Sequence, residues 1–121
     1  MEITVYQYPK CSTCRNALKW LGAHGVAHRA IDLVASPPSR EVLRDLLRRS
    51  GLPLARLFNT SGESYRAGNF KDKLPKLTED EALAALAADG KLIKRPLVDA
   101  GATVLVGFDP DAYQAALKPR R

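Results

Sequence analysis

"YPKCSTCRNALKWL", residues 8–21, contains both cysteines of the chain, two residues apart, and a helical pattern begins immediately after them. The pair could be a redox centre, half of a zinc site or two ordinary buried thiols. The residues on either side locate it. Upstream, "ITVYQY" (3–8) is a β-branched and aromatic run ended by Pro9, which predicts a strand. Downstream, Ser12 or Thr13 can cap a helix running to about Ala23, with Cys14, Ala17, Leu18 and Leu21 on one face. Gly22 and Gly25 close it. The cysteines therefore stand where a strand hands over to a helix.

Further along, "AHRAIDL" (27–33) reads as a second strand, with Arg29, Ile31 and Leu33 on alternate positions. "SPPS" (36–39) leads into a helix over 40–50 whose buried face is predicted to be Val42, Leu43, Leu46 and Leu47. Arg40, Arg44 and Arg48 form a basic stripe on it, partly balanced by Glu41 and Asp45, and read as a solvated face or a partner surface. Residues 51–77 are irregular, which suggests short helical turns and loops. In "LTEDEALAALAADG" (77–90), Thr78 and Glu81 form a capping box, and Gly90 stands where a C-terminal cap belongs. "RPLVDAGATVLVGF" (95–108) reads as a hairpin turning at Ala100–Gly101, and Asp109 and Pro110 open a last helix through Tyr113 and Leu117. The order β-α-β-α-(helical part)-α-β-β-α points to an α/β fold: a thioredoxin-like mixed four-stranded sheet flanked by helices. A helical insertion lies between the second helix and the C-terminal hairpin.

At 121 residues, 45% hydrophobic and 26% charged, the chain is expected to be one domain over 1–121 with a core of its own. No internal repeat or linker interrupts it, and no low-complexity segment beyond the terminal "KPRR". No apolar run approaches the roughly 18 residues of a membrane span. "MEITVYQYPK" lacks the regions of a signal peptide, so a cytoplasmic location is expected. Thiols stay reduced there, and a Cys-x-x-Cys pair is catalytic, redox-sensing or metal-binding before it is a permanent staple. The net charge of +6 and a pI near 9.6 favour anionic partners in general. Nucleic acid is disfavoured, because bases and acids are interleaved and no aromatic platforms recur.

The thiolate is the reactive form of cysteine. Cys11 falls at the expected helix N-terminus, where free N–H groups and the helix dipole favour negative charge, and Lys10 and Arg15 push the same way. It is the better nucleophile, with Cys14 one turn inside the helix, placed to resolve a mixed disulfide. The zinc alternative reads Cys11, Cys14, His24 and His28 as C-x2-C-x9-H-x3-H. Against it stand a gap shorter than the usual 12 or so residues and cysteines that open a helix. Arg95-Pro96 is a second focus: an X-Pro bond before a strand is a candidate for cis, and Arg95 offers a fixed cation to an oxyanion or carboxylate, or is a plain surface arginine.

"YPKCSTCRNAL", "LFNTSGESYR", "KLIKRPLV" and "LVGFDPDAY" together resemble the ArsC/Spx/YffB group, small arsenate-reductase-like proteins with a thioredoxin-like fold and a helical insertion. The resemblance covers nearly the whole chain. It implies that Cys11 is the nucleophilic cysteine and Arg95 the anion-binding arginine before a cis-proline, Pro96. Glutathione- and glutaredoxin-coupled arsenate reductases surround the oxyanion with three arginines. One should fall near Asn59 and another near Phe108, so the resemblance implies poor arsenate reduction here. It is closest to the YffB-type branch. The expectation is a thiol–disulfide oxidoreductase served by glutathione, glutaredoxin or thioredoxin, with no bound cofactor and no metal. Asn59, and with it Ser61 and Arg66, lines the cleft by resemblance alone. The alternative is a Spx-like redox-sensing regulator that binds RNA polymerase.

Overall fold

The computed structural model describes residues 3–117; the "KPRR" end lies outside the described residues. In chain order the elements are β1 (Ile3–Gln7), α1 (Ser12–Ala23), β2 (His28–Asp32), α2 (Arg40–Ser50), α3 (Glu63–Ala67), α4 (Phe70–Lys73), α5 (Glu79–Ala88), β3 (Leu97–Asp99), β4 (Val104–Val106) and α6 (Pro110–Leu117). Short 3-10 turns cover Leu54–Leu57, Leu74–Lys76 and Gly90–Leu92. Of the described residues, 3–32 and 95–117 form one compact unit and 33–94 a second.

The first unit is the mixed four-stranded sheet, in the order β2-β1-β3-β4. β1 runs parallel to β2, with Val5 opposite Ala30, and antiparallel to β3, with Val5 opposite Val98. β3 and β4 close the hairpin, Val98 facing Leu105. Alternation along β1 turns Ile3, Val5 and Gln7 inward. Ile3 and Val5 join Val98 and Ala100 from the hairpin, Ala17 and Leu21 from α1 and Tyr113 from α6 in one apolar cluster, against which Trp20, Leu105 and Phe108 pack. Truncating one of these larger side chains to alanine costs about 2–5 kcal/mol. The hairpin turns over Ala100–Thr103, with the Ala100 N–H donating to the Thr103 carbonyl at 2.9 Å. Asp109 caps α6 as expected, its Oδ1 accepting from the Asp111 N–H at 3.1 Å.

The second strand is less regular than its sequence implies. Arg29 and Ala30 are both exposed, and buried Leu33 lies one residue past the strand end. β2 has a strand neighbour on one side only, so burial constrains it weakly.

In the second unit, the Ser39 hydroxyl caps α2, which packs on α5. Leu43, Leu46 and Leu47 are buried, whereas Val42, expected beside them, is 39% exposed. The buried stripe centres on 43, 46 and 47, and residue 42 falls at its margin. The basic stripe is ion-paired: Arg40 and Arg44 reach Asp80 of α5 at 3.3 and 2.5 Å, and Asp45 takes Arg48 and Arg49. The Arg49 hydrogen bond, more than that of Arg48, holds the Asp45 carboxyl below its usual range. Such exposed pairs, screened by water, add little to stability. Between the helices, Phe58, Tyr65 and Phe70 form a ring cluster with centroids 5.7–6.4 Å apart. The Thr78–Glu81 capping box forms in full. Gly90 is not the C-cap of α5, a place that Asp89 holds in extended conformation. Gly90 is instead buried against a neighbouring backbone: a Cβ there would lie 1.9 Å from the Leu33 carbonyl oxygen.

Candidate active site

The strand-to-helix junction is built by a tight turn. The Cys11 N–H donates back to the Tyr8 carbonyl at 3.0 Å, and the Cys11 carbonyl accepts the first bond of α1 from Arg15 at 3.0 Å. Cys11 is extended (φ −94°, ψ 119°), and its Sγ accepts from the Cys14 N–H at 3.4 Å. The helix is thus capped by a sulfur, three residues before the N–H it satisfies. Ser12 and Thr13, expected as caps, lie inside the first turn and are exposed. A cap must have extended backbone and an acceptor facing the third helical N–H, and only Cys11 meets both conditions. A thiol is a weak acceptor and a thiolate a strong one, so capping and ionisation of Cys11 reinforce each other.

The first turn of α1 contains no acidic side chain to oppose that charge. Half-burial of Cys11 works against the thiolate. The Cys14 N–H and thiol and the Arg95 guanidinium, all hydrogen-bonded to the sulfur, outweigh it and hold the Cys11 pKa below its usual value. Cys14 behaves in the opposite way. It is fully buried beside Ala17 and Leu21, and burial pushes its thiol up to about 12. The Tyr8 N–H, donating to Cys14 Sγ at 3.5 Å, offsets this in part, while neighbouring Cys11 adds to it.

Arg95 is joined to Pro96 by a cis peptide bond, as its sequence context allowed. Its guanidinium carbon stands 5.1 Å from the centroid of the Tyr8 ring. Pro96 is buried, and its carbonyl accepts from the Gly107 N–H at 2.8 Å. Cys11, Cys14, Arg95 and Pro96 are therefore brought together. Arg15 is engaged elsewhere, its Nη1 donating to the Pro9 carbonyl at 2.9 Å, where it braces the loop from outside. Lys10 is exposed on that loop. Asn59, Ser61 and Arg66 belong to the second unit. There Arg66 Nη1 donates to the Ser61 carbonyl at 3.1 Å, and the Asn59 N–H donates to the Leu92 carbonyl at 2.8 Å.

Tyr8 was not singled out by its sequence, yet it supplies the face under Arg95, the carbonyl that turns the loop and the N–H that meets Cys14. Its position directly before Pro9-Lys10-Cys11 was the available signal. His24 Nδ1 lies 2.9 Å from the Trp20 carbonyl and the ring stacks on Trp20; His28 Nδ1 lies 2.8 Å from the Val26 carbonyl. Among the described residues no three His, Cys, Asp or Glu side chains gather to hold a metal ion.

A polarised sulfur beside a fixed cation, with a second thiol one turn away, is equipped to exchange thiols. Comparison with known proteins agrees in outline. The ArsC family model matches residues 6–116. YusI of Bacillus subtilis is 51% identical, over 94% of this chain and 97% of its own length. The regulatory protein MgsR of the same organism is 27% identical, over 90% of this chain and 85% of its own. A crystal structure described as a possible arsenate reductase from Streptococcus mutans is 48% identical, with a TM-score of 0.82, over 88% of this chain and 90% of its own. The chain is a member of the ArsC family, and its sheet and flanking helices are the family's thioredoxin-like fold.

Proposed function

We propose that this chain is a thiol–disulfide oxidoreductase that uses glutathione, in which Cys11 attacks and Cys14 resolves. The observation that carries the reading is the Cys11 sulfur, which caps α1 and accepts a hydrogen bond from Arg95. The Cys11 thiolate attacks one sulfur of a disulfide, forming a mixed disulfide and releasing the other half as a thiolate. Cys14 then attacks Cys11 Sγ, forming the Cys11–Cys14 disulfide and releasing the second half; the Cys14 proton goes to that leaving sulfur or to water. Two glutathione thiols reduce the pair and leave as glutathione disulfide; a glutaredoxin or thioredoxin dithiol supplies the same two electrons. Cys14 is poorly ionised while Cys11 carries charge. Once Cys11 is in the mixed disulfide, that contribution to its raised pKa is gone. Arg95, with exposed Lys10 nearby, orients the anionic thiol; Asn59 joins them only under the resemblance to the family. The reaction is placed in the cytoplasm, where glutathione is abundant.

Relatedness to the regulatory protein MgsR favours a second reading as a regulator; under the resemblance to Spx, the Cys11–Cys14 disulfide would be its sensor and a contact with RNA polymerase its output. Two assays on the purified chain separate the two. Catalytic turnover of a small mixed disulfide with glutathione, lost in Cys11→Ser, is expected. Redox-dependent binding to the carboxy-terminal domain of the RNA polymerase α chain, without turnover, would replace the enzyme by the regulator.

A further inference from the structure

Tyr113, on α6, is the one buried tyrosine among the described residues, and nothing in the proposed exchange uses it directly. Its ring is clamped edge-on by two others: Phe108 at 5.0 Å and 83°, and Trp20 at 5.6 Å and 88°. The clamp points the phenol at a single acceptor. Tyr113 Oη donates to the Gly107 carbonyl at 2.7 Å, in a buried bond. The N–H of the same glycine donates to the Pro96 carbonyl at 2.8 Å. Gly107 has φ +84°, a conformation that side-chain-bearing residues rarely adopt, so its two peptide groups point in directions an ordinary strand residue would not give them.

We propose that the Tyr113 hydroxyl is a positioning group for Arg95: by holding Gly107 it fixes the Pro96 backbone, and so keeps the guanidinium on the Cys11 sulfur. The chain of contacts runs from α6 to the β4 end, to the start of β3, to the residue before it. The first two links are hydrogen bonds between buried residues, where a lost partner leaves a desolvated group unpaired, and the last is the Arg95–Pro96 peptide bond. Burial first, and Cys14 second, push the phenol above its usual range, so it remains a neutral donor at every pH at which Cys11 titrates. The inference rests on the reading of Cys11 as the reacting thiol.

The test is the rate of iodoacetamide alkylation of the full chain against pH, followed by intact mass, with thermal melting in parallel. Tyr113→Phe keeps the ring and its apolar contacts and removes only the hydroxyl. It is expected to raise the Cys11 midpoint by roughly half a pH unit, a roughly threefold slower reaction below the midpoint. In an Arg95→Gln background the same change is expected to shift nothing further, since the guanidinium it positions is gone. Leu46→Ala, in the buried face of α2 and outside this chain of contacts, should lower the melting temperature and leave the midpoint in place. A Tyr113→Phe protein that melts lower with an unmoved midpoint, or a shift that persists in full without Arg95, would overturn the proposal alone. Alkylation of Cys14 ahead of Cys11 in the wild type would overturn the parent reading and this one with it.

Discussion

Cys11 is at once a structural cap and the proposed reacting atom. Burial shifts the thiol of Cys14, one turn further, in the opposite direction. This has a consequence for stability. A thiol whose folded pKa lies below its unfolded value stabilises the fold at pH above the unfolded value, and loses that contribution as pH falls through the folded pKa. Cys14 has the reverse sign: its contribution is complete below the unfolded value of 9.0 and is lost as pH rises toward about 12. Wild type should therefore lose stability relative to Cys14→Ala between those limits, by a few kcal/mol. The difference in melting temperature between the two proteins, followed across that window, checks this; a pH-independent difference would show that Cys14 is not desolvated. Arg95→Ala should raise the Cys11 midpoint and weaken binding of a thiol ligand about tenfold or more, with little change in melting temperature. Arg95 contributes to the charge on Cys11 but lies outside the apolar cluster. Isothermal titration with glutathione on the Cys14→Ser protein measures the loss.

Among the elements, helix ends separate what a sequence reveals from what it conceals. The capping box at Thr78 and the Asp109-Pro110 start are local devices, readable because the residues that make the bonds are neighbours. Thr78→Ala should cost about 1 kcal/mol, visible in urea denaturation as a lower midpoint with an unchanged slope. Gly90 shows what local reading misses. Its place after α5 looks like a C-cap, but the glycine is required because the Leu33 backbone, 57 residues earlier in the chain, passes where a Cβ would be. Gly90→Ala should thus destabilise far more than loss of a cap, by about 3 kcal/mol or more, since backbone and not a flexible side chain must yield. The cap at Cys11 was concealed for another reason. Ser12 and Thr13 are better capping residues by type, and only the path of the turn after Pro9 decides that sulfur takes the place.

For the molecule as a whole, element order and the position of the cysteines were enough to reach the mixed sheet and its flanking helices. The site was readable where chain neighbours or a known pattern mark it, in Cys11, Cys14, Arg95 and Pro96. It was not readable in Tyr8, whose part depends on how β1 and the 95–96 segment converge, nor in Arg15, whose guanidinium turns to the Pro9 carbonyl. The resemblance to arsenate reductases places an arginine near Phe108, and here that ring packs edge-on against Tyr113. By that resemblance, an arsenate ester on Cys11 would have Arg95 as its cation, with Asn59 and Phe108 where the reductases carry their other two arginines. Arsenate turnover in a glutathione–glutaredoxin coupled assay should be weak or absent, and rapid turnover at micromolar arsenate would contradict this.

The central claim is that Cys11 attacks and Cys14 resolves. Its most direct test is the intact mass of wild type, Cys11→Ser and Cys14→Ser after brief exposure to glutathione disulfide. The account predicts one glutathione adduct retained on Cys14→Ser, none on Cys11→Ser, and wild type two hydrogens lighter, as the internal disulfide. A glutathione adduct on Cys11→Ser, with Cys14→Ser left unmodified, would contradict it.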